Sequence, residues 1–257
     1  MKIFLCNDDG IDSEGLRALA DVFSKEHDVY IAAPKVQQSG AGHSMTIFRD
    51  LTAEKRDYPG AKEAYAIDGT PADCAYLGLL YLVKEKPDVV ISGINWGDNM
   101  SSDCITSGTV GGALEGLLQG YPSMAVSVTR PEKGKFTYPA GLAAKLLPYY
   151  LNDPECGNYV FNLNVPCGDP DTVKGLKVTR FDGIRVYNIE FETIQNGNTT
   201  TFRVRPAMTK SLRNAQGTLE NDVTADDAGY ATVTPISWDM VVKKSVTDLK
   251  YLEDLTL

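Results

Sequence analysis

Two aspartates stand side by side in CNDDGIDSEG, residues 6–15, where an apolar run ends and a helical pattern begins. Asp8 and Asp9 read in two ways. Asp-Asp-Gly is common in turns, so they serve as caps before a helix; alternatively, they are a charged pair with a purpose. Adjacent carboxylates at the end of a buried strand repel each other and lose solvation, and a divalent cation is the natural compensation. Oxygen donors select Mg, Mn or Ca rather than zinc. Two other loops offer neutral oxygens to such an ion, Ser39 in QQSGAGHS and Asn95 in GINWGDN. Each also has a plainer reading, Ser39 in a flexible glycine turn and Asn95 in a turn stabilised by its own side chain. A fourth stretch, SGTVGGALEGLLQG, starts a helix whose first turn is nearly free of bulky side chains. Backbone N–H groups around Ser107, Gly108 and Thr109, with the helix dipole behind them, suit a phosphate. A Ser or Thr cap, with Gly111 and Gly112 allowing close helix–sheet packing, accounts for the same residues. The stretch lacks the Gly-Lys-Ser/Thr ending of a P-loop and is not a GxGxxG fingerprint, which weakens kinase and dehydrogenase readings.

Weaker candidates fill out the inventory. His43, one of two histidines, is either a general acid or an ordinary loop residue; His27, in SKEHDVY, reads as exposed before a strand. The acidic run ENDVTADDAG, residues 220–229, suggests either a second metal site or an irregular solvated loop, and the loop is the expectation. Trp96 and Tyr121 either flank a base or simply pack.

Positioning these residues requires a scaffold. Apolar runs at KIFLC (2–6), DVYIAAP (28–34), DVVISG (88–93) and SMAVSV (123–128) alternate with helix-period stretches, the pattern of βαβ units around a parallel sheet. In such a sheet, ligands bind beyond the carboxyl ends of the strands. The loops bearing Asp8 and Asp9, Ser39, and Asn95 each follow a strand, so a formed sheet brings them together. Leu16, Leu19, Ala20 and Phe23 after a Ser13 cap predict one amphipathic helix. Thr70, Pro71 and Asp73 open a second, with Tyr76, Leu79, Leu80 and Val83 on one face. A third buries Val110, Ala113, Leu114 and Leu117 and stops at Gly120.

Past residue 150 the pattern changes. YVFNLNVP, GLKVTRF, TTTFRVRP and YATVTPIS read as strands, and Asn196-Gly197 signals a hairpin. The expectation is a catalytic core over 1–150 and a β-rich extension over 151–257, whose hairpin and terminal helix-like SVTDLKYLEDL act as arms for self-association.

Composition bounds the partners. With 257 residues, 43% of them hydrophobic, the chain can bury a sizeable core. A net charge of −9 argues against long nucleic acid or an anionic membrane as partner. Five scattered cysteines in no metal or disulfide spacing fit a reduced, cytoplasmic protein, and neither a signal peptide nor a membrane span is expected.

Taken in order, NDDGIDSEGLRAL, APKVQQSGAGHS, IDGTPADCAYLGL, ISGINWGDN, SGTVGGALEG and the later DDAGYATVTPISWDM resemble the SurE family, the survival protein E group of metal-dependent nucleotidases and acid phosphatases. The resemblance implies a Rossmann-like, mostly parallel sheet with helices on both faces. It also implies one divalent ion, Mg or Mn, hydrolysis of nucleoside 5'- or 3'-monophosphates, and homodimers or homotetramers that exchange C-terminal elements. Carried onto this chain, the metal ligands are Asp8, Asp9, Ser39 and Asn95, the residues the loops had already gathered. One of the Asp pair is also a candidate base, and Ser107 to Thr109 would hold the phosphate. Two positions depart from many relatives: Thr106 stands where they have Tyr and Gln38 where they often have Arg, changes that bear on substrate preference. A metal-dependent nucleotide-sugar glycosyltransferase and a nucleotide-binding module without turnover are the alternatives.

Overall fold

In the first strand, β1 (Lys2–Cys6), Ile3 and Leu5 pack on one side and Phe4 and Cys6 on the other, and all four are fully buried. A strand buried on both faces belongs inside a sheet covered by helices on both sides. The computed structural model describes residues 1–130, 132, 135–166, 170–204, 210–211 and 217–239. After β1 come α1 (Glu14–Phe23), β2 (Asp28–Pro34), β3 (Ala53–Arg56), β4 (Ala61–Ile67), α2 (Pro71–Leu77), β5 (Val89–Trp96), α3 (Gly108–Leu118), β6 (Ser123–Thr129), α4 (Thr137–Leu151) and β7 (Val160–Pro166). The chain continues through β8 (Leu176–Val178), β9 (Tyr187–Asn188), β10 (Phe191–Asn196), β11 (Thr199–Val204), β12 (Lys210–Ser211), α5 (Asp222–Asp227) and β13 (Ala231–Ile236).

Nine strands form one sheet in the order β3-β4-β2-β1-β5-β6-β7-β13-β8. The run from β4 to β7 is parallel throughout, while β3 and β13 pair antiparallel with β4 and β7. From β1 the chain builds outward first through β2 and β4, then on the other side through β5, β6 and β7. The order therefore reverses between β1 and β5, where Leu5 pairs with Ile91 and Cys6 with Ser92. The carboxyl ends of two parallel strands part there, leaving the crevice in which open α/β sheets place ligands.

Helices cover both faces. Leu16, Leu19 and Phe23 of α1 share a core with Ala140, Leu147 and Tyr150 of α4. On the other face Cys74 and Ala75 of α2 pack over Phe4, and Ala113 and Leu117 of α3 pack over Ala125. Each fully buried Leu or Phe contributes roughly 1.5–3 kcal/mol. Ser13, Thr70 and Ser107 cap α1, α2 and α3 through side-chain oxygens, and Asp73 closes a capping box with Thr70.

Several expectations change. The second helix gives way at Gly78–Leu82 to a π-helical turn, and Leu80 is exposed. Of the expected face Leu79 and Val83 are buried, joined by the small residues Cys74, Ala75 and Gly78, where a Cβ would meet the Phe4 ring at 2.4 Å. The acidic run is not a solvated loop: it folds as α5, with Asp222 and Asp226 fully buried. Burial is tolerated because Asp222 accepts N–H bonds from Ser101, Asp182 and Val223, and Asp226 accepts from the Thr129 hydroxyl and Arg130. Nor is His27 plainly exposed; it is half-buried against Phe23. The hairpin forms as expected, β10 pairing with β11 around Gly197 at φ +57°. SVTDLKYLEDL lies outside the described residues.

Candidate functional site

The turn after β1 is shaped by Asn7. Its amide donates to the Gly10 carbonyl at 2.9 Å and to the Ser13 hydroxyl at 2.7 Å, binding strand end to helix cap. Gly10 adopts φ +98°, a conformation that favours glycine. Between these anchors Asp8 and Asp9 take separate environments. Asp8 is 3% exposed, and its Oδ1 accepts the Thr109 hydroxyl at 2.5 Å. Asp9 is half-buried; its Oδ2 accepts the Trp96 N–H at 2.8 Å and its Oδ1 the Gln37 amide at 3.2 Å. The same Gln37 nitrogen donates to Ser39 Oγ at 3.0 Å, so one side chain spans Asp9 and Ser39. The Asn95 amide donates to the Gly97 carbonyl at 2.8 Å, which leaves its carbonyl oxygen as the atom offered to a ligand.

Backbone bonds hold the three loops together. Gln38 N–H reaches the Asp8 carbonyl at 2.7 Å, and Gly42 N–H reaches Thr106 at 3.0 Å. The loop also lies directly on α3, since a Cβ at Gly111 would sit 2.2 Å from the Gly42 carbonyl oxygen. Behind the loop after β5, buried Asn162 and Asn164 of β7 donate to the Asn99 carbonyl at 2.9 and 3.0 Å. A strand from the second half thus fixes a loop from the first.

Asp8, Ser39, Asn95 and Ser107 line one cleft of about 160 Å³. Asp9 lines a neighbouring cleft of about 390 Å³ with Gln37, Trp96 and Phe136. The helix start at Ser107 behaves differently from the sequence expectation. Ser107 Oγ accepts the Val110 N–H, so its own O–H is the donor left for the cleft. The Thr109 hydroxyl and N–H turn to Asp8 instead. Gly108 presses on the same aspartate, where a Cβ would approach Asp8 Cβ at 2.8 Å.

Burial dominates the electrostatics. It pushes Asp8 up to about 6, against the Thr109 hydrogen bonds and with help from the charge of Asp9. Asp9 is also raised by burial, opposed by Trp96 and Gln37. Two neighbouring carboxylates that both resist ionisation call for positive charge. Beside them Ser39 offers a hydroxyl and Asn95 an amide carbonyl, and the four make an all-oxygen set of the kind chosen by Mg, Mn or Ca. Among the described residues no three His, Cys, Asp or Glu side chains gather as ligands.

The remaining candidates separate. His43 Nε2 lies 2.8 Å from Glu115, whose charge is opposed by burial but more strongly favoured by His43 and Gln119; the pair clamps the Ser39 loop to α3. Trp96 is 48% exposed, packed on Phe136 at 5.8 Å beside Asp9. Tyr121 lies just before β6, at the amino ends of the strands, away from the crevice. Sequence reasoning did not single out Asp98, Asp103, Arg185 or Tyr187, which also line the cleft of Asp8. Asp98 sits inside the GINWGDN block and was within reach; Arg185 and Tyr187 arrive from the second half, and no local pattern announces them.

The family described as Survival protein SurE matches residues 3–188. The chain belongs to the SurE family. Among curated SurE relatives, the 5'-nucleotidase SurE of Clostridium beijerinckii is 38% identical, covering 100% of this chain and 98% of its own. That of Pelotomaculum thermopropionicum is 36% identical, covering 98% and 95%. The crystal structure of the SurE protein from Aquifex aeolicus superposes with a TM-score of 0.83 at 34% identity, covering 99% of this chain and 100% of the other. The matched segment contains every residue named around the Asp8 cleft.

Proposed function

We propose that this SurE chain is a divalent-metal-dependent phosphomonoesterase that hydrolyses nucleoside 5'-monophosphates to nucleoside and phosphate. The observation that carries the proposal is the meeting of Asp8, Ser39, Asn95 and Ser107 in one cleft at the strand-order reversal, with Asp9 bonded to Ser39 through Gln37. Relatives named 5'-nucleotidase SurE, similar over nearly the whole chain, support it.

Asp8, Asp9, Ser39 and Asn95 would hold one Mg or Mn ion. Such an ion supplies Lewis acidity, offsetting charge on the phosphoryl group and making water more acidic. The rest falls to the chain. Thr109 fixes Asp8 in place, Gln37 ties Asp9 to Ser39, and Ser107 offers a hydroxyl to a phosphoryl oxygen. Asp9 is half-buried and open to the second cleft, which supports it as the member of the pair that would take a proton from water.

Self-association as a homodimer or homotetramer belongs to the same proposal, supported by the apolar face of the β10–β11 hairpin. A cytoplasmic setting is supported by Cys6, Cys74, Cys104 and Cys156, all free thiols. No helix among the described residues is long and apolar enough to cross a membrane.

The test is phosphate release from a panel of nucleoside monophosphates and a nucleotide sugar, with Mn or Mg, with EDTA, and with Asp8→Asn. Release from the monophosphates that needs metal and falls at least about 100-fold in the variant is the expected result. Transfer from the nucleotide sugar without phosphate release would replace the hydrolase by a transferase; binding without any product would replace it by a binding module.

A further inference from the structure

The proposed substrate carries a phosphate dianion, yet the cleft that holds Asp8 is itself acidic, with Asp98 and Asp103 on its wall. One cation faces it among the described lining residues, Arg185. Resting on the nucleotidase reading above, we propose that Arg185 is the cationic phosphate-binding residue of this site, its guanidinium gripping phosphoryl oxygens in the cleft it shares with Asp8 and Ser107.

Arg185 is aimed by the backbone on either side of it. Ile184 N–H donates to Ser101 Oγ at 2.9 Å, and the Ser102 hydroxyl returns to the Ile184 carbonyl at 2.8 Å. Val186 and Tyr187 N–H groups both reach Asp103 Oδ2, at 3.1 and 2.8 Å, and the Tyr187 hydroxyl bonds to Asp98. The strap is therefore fastened one residue before Arg185 and at the two residues after it. Val186 is fully buried with Met100 and Val223. Val186 is thus packed inward, while its neighbour Arg185 is exposed and lines the cleft. Ser101 itself is held by buried Asp222, which links the strap to α5.

Charge and shape agree with this orientation. Arg185 closes no ion pair among the described residues, and its charge is felt by Asp103, where it opposes the upward push of burial. A guanidinium is always charged and presents a planar fork that matches phosphate oxygens two at a time. A lysine keeps the charge and loses the fork. Such a residue also explains how a chain of net charge −9 admits a dianion to a carboxylate-lined cleft.

The experiment uses the full-length protein saturated with Mn. Calorimetry follows binding of inorganic phosphate to wild type, Arg185→Ala and Arg185→Lys, and Mn affinity is measured for each. Hydrolysis of adenosine 5'-monophosphate separates KM from kcat. Arg185→Ala is expected to weaken phosphate binding and raise KM by roughly ten-fold or more, with Mn affinity unchanged and partial recovery in Arg185→Lys. Phosphate affinity and KM equal to wild type would overturn the assignment. So would an absence of phosphate binding by the wild type, or a parallel fall in Mn affinity, which would make Arg185 a prop of the metal site. If phosphate binds through Arg185 but no monophosphate is hydrolysed, the nucleotidase reading falls and the anion site stands.

Discussion

A carboxylate shut away from water beside a second carboxylate costs the fold free energy until something answers its charge. With its pKa pushed from 3.8 to about 6, metal-free folded Asp8 holds a proton that the unfolded chain has already released between those values. Its contribution to stability is therefore greatest below the lower value, falls as pH rises through the window, and is flat above it, a change of roughly 3 kcal/mol. In EDTA, Asp8→Asn should melt higher than wild type at pH 7, with the difference gone near pH 4; equal melting temperatures at pH 7 would contradict a strained carboxylate. Thr109 supplies the second prediction at this scale. Thr109→Val removes the hydroxyl bonded to Asp8, at a cost of about 1–3 kcal/mol and a 10- to 100-fold loss of metal affinity, and Thr109→Ser restores both. A variant that raises KM without touching metal affinity would return Thr109 to the phosphate role expected from its sequence position. Adjacency made the Asp pair legible, since no folding is needed to bring neighbours together. The bond between Asp8 and Thr109 spans 101 residues and was not legible.

At the scale of elements, the site depends on how closely the Ser39 loop rests on α3. Gly111 is helical, so alanine suits its backbone, but the new Cβ would collide with the Gly42 carbonyl oxygen. Gly111→Ala is expected to cost about 1–3 kcal/mol by lifting the loop, and to weaken Mn binding through Ser39, both measurable by calorimetry and chemical denaturation. Full stability with normal metal affinity would show that the loop has room to move. Helices that announced themselves did so through capping side chains and a clear apolar stripe, as at Ser13, Thr70 and Ser107. Helix α4 carries no capping bond at Phe136 and has Pro139 and Pro148 in its span, so its start and period are masked. Edge strand β3, with Ala-Glu-Lys-Arg all exposed, has no alternation to read. The acidity of α5 suggests solvent, whereas its buried Asp222 and Asp226 are each met by several donors.

At the scale of the whole molecule, the β10–β11 hairpin stands out among the described residues for the apolar side chains it exposes. Phe191 pairs with Val204 and Thr193 with Phe202, which places all four on one face, and the three apolar side chains are exposed. A two-stranded ribbon is marginal in water by itself, so this face is expected to be covered by another copy. Phe202→Glu should shift the protein toward a smaller species in size-exclusion chromatography with light scattering, leaving the β1–β5 crevice intact. An unchanged mass would move the interface elsewhere on the surface.

The sequence by itself determined the parallel sheet, the three capped helices and the loops bearing Asp8, Asp9, Ser39 and Asn95. These are written in short-range terms: strand runs, helical period, caps and residues placed just after strands. Tertiary structure alone decided that Asn162 and Asn164 of β7 hold the loop beyond Asn95, that the Thr109 hydroxyl serves Asp8, and that Arg185 reaches the cleft. Those relations join residues many tens of positions apart. They exist because the strand order reverses at β1 and the second half of the chain returns to the same sheet, and no local pattern of polarity records which distant side chain will then be opposite.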